Sequence, residues 1–331
     1  MKKALYFVLI VASISAIAQG AESITPRDAV KQMGSGINIG NTLDPQDEGA
    51  WNNPQVQEYY FDDYKKAGFN SVKIPITWDE HAGKTAPYTI NEKWLNRVEQ
   101  IVDWGLSRDL FIVIDAHHEA WIKDNYKDQA QRDRFDSIWR QISKRFKDKS
   151  PKLIFEIINE PNGLSKEETD DLNLRILKII RETNPTRLVI ISGTESSGPD
   201  QLINTAVPKD DYIIGTFHMF EPADFARNGQ GTWGSEDDKK ALKETFDKVA
   251  KWSQENKIPV LLGDFGVVAQ ANADSRKAFY AAMVAEASAH GFPYIAWDDG
   301  ADFQIYKRAE RAWNELKDIL IKTPASPPAA P

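Results

Sequence analysis

Short apolar runs alternate with longer amphipathic segments along nearly the whole of this 331-residue chain. The segments between the runs, such as residues 91–108 and 171–183, have the apolar spacing of helices with one buried face. Strands that alternate with helices in this way pair in parallel and are covered on both faces. Eight such units predict an α/β fold, a (β/α)8 TIM barrel in a single domain. The predicted strands are residues 36–39, 72–76, 110–115, 153–159, 188–192, 212–218, 260–264 and 294–297.

A doubly wound open sheet is the rival arrangement for alternating strands and helices. A dinucleotide-binding sheet of that kind carries its glycine-rich phosphate loop directly after the first strand. Here the sequence Gly34-Ser35-Gly36 leads into the first predicted strand, and no such fingerprint follows that strand. The barrel is therefore the predicted fold.

The two ends of the chain differ from the barrel in composition. Lys2 and Lys3 precede an apolar run at residues 4–18, which ends in a small-x-small sequence typical of a cleavage site. We expect a signal peptide at residues 1–18, the barrel at 19–322 and a stiff Pro/Ala-rich tail at 323–331. These boundaries predict a secreted protein, periplasmic or extracellular, that has no membrane association after the signal is removed.

Charge and residue usage exclude several classes of function. The formal net charge of −8 disfavours a nucleic-acid partner, which requires a basic surface. The absence of cysteine excludes disulfides, thiolate metal sites and a cysteine nucleophile. His117 and His118 are adjacent, and neighbouring strand residues point to opposite faces, so we expect hydrogen bonding to substrate rather than a metal pair. The sequence thus predicts a monomer without nucleic acid, metal or other cofactor.

Two carboxylates follow predicted strands at the end where a barrel builds its active site. Glu160 stands in Asn159-Glu160-Pro161 after the fourth strand, which we expect to end there because proline cannot donate to a sheet. Asp264 ends the seventh strand. Hydrolysis of a glycosidic bond requires two such carboxylates, one that protonates the leaving oxygen and one that attacks or activates water. The pair predicts an enzyme that hydrolyses O-glycosyl bonds.

Several longer motifs accompany this pair. They are GINIGNTLD at residues 36–44, FNSVKIPITW at 69–78, IDAHHE at 114–119 and YIAWDDG at 294–300. With the Asn-Glu-Pro sequence they make the chain, from about Gly34 to Trp313, similar to glycoside hydrolase family 5, which contains many cellulases and mannanases. The resemblance implies that Glu160 is the acid/base and that the partner is a β-1,4-linked glucan or mannan chain. Their positions at the ends of predicted strands make Asn41, Lys73, His117 and His118 candidate substrate-binding residues. The resemblance adds His218 and Phe220 to them, and it implies that Asn159 bonds the sugar 2-hydroxyl and that Trp297 stacks on the sugar beside the scissile bond.

Three departures from the family pattern meet at the second carboxylate. The family nucleophile is a glutamate that an arginine and a tyrosine contact, whereas this chain has Asp264, Lys73 and Phe220 at those positions. Aspartate is shorter by one carbon–carbon bond, about 1.5 Å. Retaining enzymes hold their carboxyl groups ~5–5.5 Å apart and inverting enzymes ~6.5–9.5 Å apart. Lysine keeps the positive charge without the bidentate geometry of arginine, and phenylalanine lacks the hydroxyl donor.

Three outcomes remain open at this stage: a slow retaining enzyme, an inverting enzyme, and a non-catalytic glycan-binding protein on the same barrel. The leading hypothesis is the hydrolase, with Asp264 as nucleophile or water-activating base. The binding protein is the alternative. Tryptophans supply a further signal, because flat rings suit sugar faces. We expect core packing for Trp94, Trp104, Trp139, Trp252 and Trp313, and candidate stacking platforms at Trp51, Trp121 and Trp233.

Overall fold

The computed structural model describes residues 23–321, and their strands form a closed barrel in which each strand pairs with the next along the chain. The predicted signal peptide at 1–18 and the tail at 323–331 lie outside the described residues. All pairs in the barrel are parallel, including the pair that closes the ring between the first and last strands, so the predicted fold is confirmed. The barrel strands are β1 Ser35–Asn38, β2 Ser71–Ile74, β3 Phe111–Asp115, β4 Leu153–Glu156, β5 Val189–Ile191, β6 Ile213–Met219, β7 Val260–Phe265 and β8 Tyr294–Ala296.

Helices cover the outside of the barrel between successive strands. Side-chain caps set where several of them begin: α6 starts earlier than predicted because the Ser165 hydroxyl and the Glu168 carboxylate form a reciprocal capping box. The helices are α1 Pro26–Met33, α2 Glu58–Ala67, α3 Glu92–Leu106, α4 Ala120–Asp124, α5 Gln129–Arg145, α6 Lys166–Arg181, α7 Pro199–Ile203, α8 Ala223–Ala226, α9 Glu236–Asn256, α10 Ala273–Ala289 and α11 Leu316–Ile321. A 3-10 turn at Asp79–His81 and a hairpin of β9 Tyr306–Lys307 and β10 Ala312–Trp313 complete the described elements. No helix within residues 23–321 has the length and apolar character needed to cross a membrane.

The inside of the barrel changes from apolar to charged along its axis. Ala29, Val30 and Met33 of α1 pack into the same buried cluster as interior residues of the strands, and so α1 closes the N-terminal end. Val113 of β3 and Ile154 of β4 also belong to that cluster. Because alternate residues of a strand share a face, Asp115 and Glu156 lie on the same inner side, two positions further along. The polar end of the barrel is therefore the C-terminal end.

The fourth strand is shorter than the sequence predicts. It ends at Glu156, so the expectation that Pro161 terminates it was wrong. The N–H groups of Ile157 and Asn159 still donate to the Ile190 and Ala116 carbonyls, at 3.2 and 3.1 Å. The chain thus follows the rim of the barrel without regular pairing until it reaches the acidic residue at position 160.

The seventh strand is irregular on both sides next to its carboxylate. Its register shifts against β6 between Phe217 and Met219, and against β8 between Leu262 and Asp264. A Cβ atom at Gly263 would lie 2.7 Å from Cδ2 of His218, closer than packed atoms approach. The irregularity and the missing side chain together let the histidine lie against the β7 backbone. Bulges beside active sites redirect neighbouring side chains in this way.

Candidate active site

A buried lysine stands at the centre of the polar end of the barrel. The Nζ atom of Lys73 lies 2.8 Å from Oδ1 of Asn159, 3.0 Å from Oε2 of Glu156 and 3.1 Å from Oδ2 of Asp264. Oδ2 of Asp115 is 3.4 Å away. An ammonium has only hydrogens to donate, so Asn159 must turn its amide oxygen toward Lys73. Its Nδ2 group is then directed away from the lysine.

The charges of this cluster shift the pKa values of its members. Burial would lower the pKa of Lys73, but Asp264, Glu156 and Asp115 raise it above its ordinary value, so the lysine stays charged. Burial would likewise raise the pKa of Asp264, yet Lys73 and the neighbouring histidines lower it to about 2. For Glu156 burial prevails and raises the pKa to about 7, in spite of Lys73. At neutral pH the cluster thus holds an ionised Asp264 beside a partly protonated Glu156.

The second oxygen of Asp264 is also bound. Nδ2 of Asn38 donates to Oδ1 of Asp264 at 2.8 Å and to the Ala296 carbonyl at 3.2 Å. Sequence reasoning did not identify Asn38, although a polar residue inside the first apolar run was a usable signal. Both oxygens of a carboxylate that is 2% exposed are therefore held in place.

A histidine lies between the two predicted catalytic carboxylates and bonds one of them. Nδ1 of His218 lies 3.0 Å from Oε1 of Glu160, and its Nε2 is 4.0 Å from Oδ2 of Asp264. Burial would raise the pKa of Glu160, but the hydrogen bond and charge of His218 outweigh it and hold that pKa below its ordinary value. Because an ionised carboxylate only accepts, Nδ1 is the nitrogen that carries hydrogen in this pair.

Two parallel rings form one wall of the site. His117 and Trp297 stack with centroids 5.7 Å apart and planes 4° from parallel. Asp115 accepts from Nδ1 of His117 at 2.9 Å; burial would lower the pKa of this histidine, but the carboxylate raises it. At Gly40 a Cβ atom would lie 2.6 Å from the Trp297 ring, so only glycine leaves room for the tryptophan there.

The predicted residues come together around a cleft of about 220 Å³. Lys73 and His218 lie beneath its floor, because both are almost fully buried. Asn41 is placed differently: it adopts a left-handed conformation, with φ of 56°, in the turn after β1 and is not part of the cleft wall. The residues that line the cleft are His117, His118, Lys123, Asn159, Glu160, Asn162, Phe220, Arg227, Asp264, Trp297 and Phe303.

Two basic residues of this wall were not identified from sequence. The Arg227 guanidinium lies 4.4 Å from the ring centroid of Phe220, and so covers the face of the residue that replaces the family tyrosine. Nζ of Lys123 donates to the His117 carbonyl at 3.3 Å, and burial lowers the pKa of this lysine although Glu160 opposes the shift. Lys123 lies in the short helix α4 and Arg227 directly follows the short helix α8, and neither helix is long enough for periodicity to identify them.

The adjacent histidines do not diverge as expected. They follow the end of β3 at Asp115, and their rings lie 4.6 Å apart in an edge-to-face arrangement. One ligand atom from each of Asp44, His117 and His118 lies within 4.8 Å of the others. The assumption that strand alternation separates the two imidazoles was wrong.

The tryptophans divide largely as predicted. Trp51 is 53% exposed and packs its ring edge-on against His118, 5.7 Å between centroids. Trp121 is half-buried beneath the Arg134 guanidinium, and Trp233 is buried, so neither offers an open ring face. The tryptophans predicted to pack in the core do so: Trp94, Trp139 and Trp252 are buried, and Trp104 and Trp313 pack against the core, the last from β10.

Comparison with known proteins identifies the family. The Cellulase family, glycosyl hydrolase family 5, matches residues 30–302. This chain belongs to that family of glycoside hydrolases. It is 44% identical over 308 residues to Endoglucanase H of Acetivibrio thermocellus, a match that covers 91% of this chain and 34% of the relative. The chain thus spans about a third of the length of that relative.

Two solved structures share the whole barrel. The Thermotoga maritima Cel5A structure in complex with mannotriose is 33% identical, with a TM-score of 0.86 over 89% of this chain and 100% of that one. A tri-modular family 5 endo-β-1,4-glucanase of Bacillus licheniformis, complexed with cellotetraose, is 38% identical, with the same TM-score over 91% of this chain and 60% of that one. The family placement and the barrel geometry therefore agree.

Proposed function

We propose that this chain is an endo-acting β-1,4-glucan hydrolase in which Glu160 is the acid/base and Asp264 the nucleophile. The observation that carries the proposal is the position of both carboxylates in the wall of one cleft, with His218 between them. The rings of His117 and Trp297 in the same wall offer apolar surface to a sugar.

The proposed reaction gives each group a task. Glu160 gives its proton to the glycosidic oxygen, and the ionised Asp264 attacks the anomeric carbon to form a glycosyl ester. Glu160, now an anion, takes a proton from the water that hydrolyses the ester. A bound glycan removes water from Glu160 and thereby raises its pKa toward the protonated form that the first step requires.

Substrate recognition follows from the fixed orientation of Asn159. Lys73 accepts no hydrogen bond, so the amide oxygen of Asn159 faces the lysine and its NH₂ group is left to donate into the cleft. A donor beside the attacked carbon suits the sugar 2-hydroxyl, a contact that strengthens in the transition state. Trp51, next to His118 at the rim, supplies a face for a more distant sugar of the chain.

A β-1,4-glucan is the first choice of substrate and a β-mannan the second. Endoglucanase H and the cellotetraose complex from Bacillus licheniformis support glucan. The mannotriose complex of the Thermotoga enzyme supports tests on mannan as well. The experiment is release of reducing ends from soluble β-glucan, cellulose derivatives, xyloglucan and mannan. No release above that of a Glu160→Gln control would refute hydrolysis.

A second candidate function, a glycan-binding protein without turnover, rests on the triple change at Asp264, Lys73 and Phe220. It is favoured by the bonds from Asn38 and Lys73, which occupy both oxygens of Asp264. It predicts saturable binding of cello-oligosaccharides without cleavage, weakened by Trp297→Ala. The triple variant Lys73→Arg, Phe220→Tyr, Asp264→Glu should then gain hydrolysis. Native cleavage at ordinary enzymatic rates would rule this candidate out.

We also propose that the protein is secreted and acts as a monomer. Lys2, Lys3 and the apolar run at residues 4–18 support the first part. Expression of the full chain in a bacterial host, followed by mass spectrometry of the exported protein, tests it. A product that begins after residue 18 supports export, and an uncleaved product retained in the cytoplasm contradicts it. Light scattering of the purified protein tests the second part.

A further inference from the structure

At the wall of the cleft lies a group of metal-type ligands that takes no part in the proton transfer or the nucleophilic attack of the proposed reaction. Asp44, His117 and His118 each bring one ligand atom within 4.8 Å of the others. We propose that these three residues form a binding site for a borderline divalent transition-metal ion, with Zn²⁺ as its probe. Two imidazoles with one carboxylate are a ligand set that suits zinc and copper, and disfavours calcium and magnesium, which prefer oxygen.

The carboxylate of Asp44 is the strongest sign of a missing partner. One oxygen, Oδ1, accepts from the Thr42 N–H at 2.9 Å. The other, Oδ2, is buried without a hydrogen bond, and Nε2 of His118, at 3.6 Å, is too far to provide one. Asp44 as a whole is 2% exposed. A buried, unpaired carboxylate oxygen is costly, and a cation would satisfy it.

The hydrogen bond at Nδ1 of His117 orients the ring so that Nε2 is available as a metal ligand. Its Nδ1 is bound by Asp115 at 2.9 Å, which fixes the ring and leaves Nε2 as the nitrogen for an ion. Metal-binding histidines are commonly oriented by a carboxylate in this way. The stack with Trp297 holds the ring from its face.

The three residues are tied to one short stretch of backbone. The N–H of His117 donates to the Ile76 carbonyl at 2.8 Å. The Thr77 hydroxyl donates to the Asp44 carbonyl at 2.7 Å and accepts from the His118 N–H at 3.3 Å. The loops after β1 and β3 are therefore held together through residues 76 and 77, and the ligand positions do not depend on loose segments. Preorganisation of this kind favours binding.

The three ligand atoms need to move only a short distance to reach the spacing of a tetrahedral zinc site. Tetrahedral zinc has ligand atoms about 2.0 Å from the ion and therefore about 3.3 Å from one another. The side chain of His118 is 51% exposed, so its ring is able to rotate toward Asp44 and His117. Water completes the fourth position, as in open zinc sites.

Calorimetric titration of the metal-free protein with Zn²⁺ tests the site, and it needs no turnover, so its result is independent of the proposed hydrolysis. We expect one ion per chain, with affinity reduced at least about tenfold in His118→Ala, since even outer-shell changes cost such sites that much. His118→Ala removes an exposed ring, so the test stands even if Asp44→Asn fails to fold. His290→Asn is the matched control, because His290 also pairs with a carboxylate, Asp247, at 2.9 Å but on the outer surface.

Equal affinity of the parent and His118→Ala would overturn the proposal, as would the absence of binding below millimolar Zn²⁺. Loss of binding in His290→Asn alone would place the ion elsewhere and would overturn it too. If Asp44→Asn weakens cellotetraose binding while the parent takes up no Zn²⁺, the unpaired oxygen serves a sugar hydroxyl and the metal site is refuted.

Discussion

The Nζ atom of Lys73 lies 3.1 Å from Oδ2 of Asp264, and this contact is a main reason that the pKa of Asp264 falls to about 2 although its burial opposes the shift. A carboxylate with so low a pKa is a weak base toward water. In the proposed reaction such a stable anion would form an ester with the sugar and leave it again. The electrostatics therefore favour a nucleophile over a water-activating base, even though the aspartate side chain is short.

The stereochemistry of hydrolysis is the first prediction. If the proposed activity holds, the first-formed product from a β-linked cello-oligosaccharide should carry the β anomer, because attack through a covalent intermediate retains configuration. Proton NMR at the start of the reaction measures the anomer before it equilibrates. Glu160→Gln serves as the control and should give no early product. An initial α-anomer signal would establish inversion instead.

Removal of the central cation should strongly destabilise the fold. In Lys73→Met the carboxylates of Asp115, Glu156 and Asp264 lose their buried partner, and the loss of one member of a buried ion pair costs ~3–5 kcal/mol. Urea denaturation at neutral pH measures the free energy of unfolding. Lys251→Met is the matched control, since its 76%-exposed side chain forms only a surface pair and should change stability by less than about 1 kcal/mol. Equal effects of the two changes would contradict the prediction.

Glu156 should make the protein less stable as the pH rises. Its folded pKa of about 7 lies above the ordinary value of 4.5, so the folded state binds the proton more tightly than the unfolded state does. The resulting stability is fully present below pH 4.5 and is lost as the pH rises through 7. In Glu156→Gln the free energy of unfolding should therefore decline less than in the parent between about pH 5 and pH 8.

A glutamate with the opposite shift provides the control for that measurement. Burial would raise the pKa of Glu99, but Lys149 and Arg145 lower it. Its contribution to stability is lost only as the pH falls below its ordinary pKa. In Glu99→Gln the free energy of unfolding should therefore change with pH above about pH 5 as it does in the parent. Identical slopes in the parent and Glu156→Gln would show that the raised pKa of Glu156 has no part in stability.

The glycine before the second carboxylate should tolerate no side chain. In Gly263→Ala the new Cβ meets Oγ1 of Thr216 at 2.6 Å and Cδ2 of His218 at 2.7 Å, so the histidine must shift from the position in which it bonds Glu160. We expect a loss of ~1–3 kcal/mol in stability from overpacking, together with a fall in kcat of the folded protein. Gly83→Ala, whose Cβ would make only ordinary contacts of 3.5 Å or more, is the control. Unchanged kcat in Gly263→Ala would refute the positioning of His218 by this contact.

The exposed tryptophan at the rim should affect binding rather than chemistry. Trp51→Ala should raise KM for cellotetraose and leave kcat nearly unchanged, because it removes a contact that the ground and transition states share. Its effect on stability should stay within about 0.5 kcal/mol, as is usual for exposed residues. Leu174→Ala, another exposed apolar change on α6, should alter neither constant. An unaffected KM in Trp51→Ala would place the glycan elsewhere.

The sequence was sufficient for the fold because the barrel depends on a repeated pattern. Each of the apolar runs became a strand, and the helix predicted at 91–108 is α3. Strand ends were less predictable, since Ile157 and Ile158 after β4 stay apolar and buried while the hydrogen bonds of this segment become irregular. An apolar sequence indicates that a segment is buried, but it does not indicate whether the segment pairs regularly with a neighbouring strand.

Residues of the site were predictable from the sequence only where they belong to a recognisable motif. Glu160 and Asp264 stand in such motifs, and the structure places them in the cleft wall. Asn38 and Glu156 were missed because each is a single polar residue within an apolar run, and its partner comes from another strand. His117 and His118 converge because both follow the end of β3 at Asp115, where strand alternation no longer sets the direction of side chains.

The cluster around Lys73 also links several strands of the barrel to one another. Through one ammonium group it joins the C-terminal ends of β2, β3 and β7 and the segment that follows β4. The packing of these strands therefore depends on the charge state of the site. A substitution of one carboxylate therefore weakens the packing of several strands at once. The activity of any variant in this cluster must be divided by the fraction of the protein that is folded before it is compared with that of the parent.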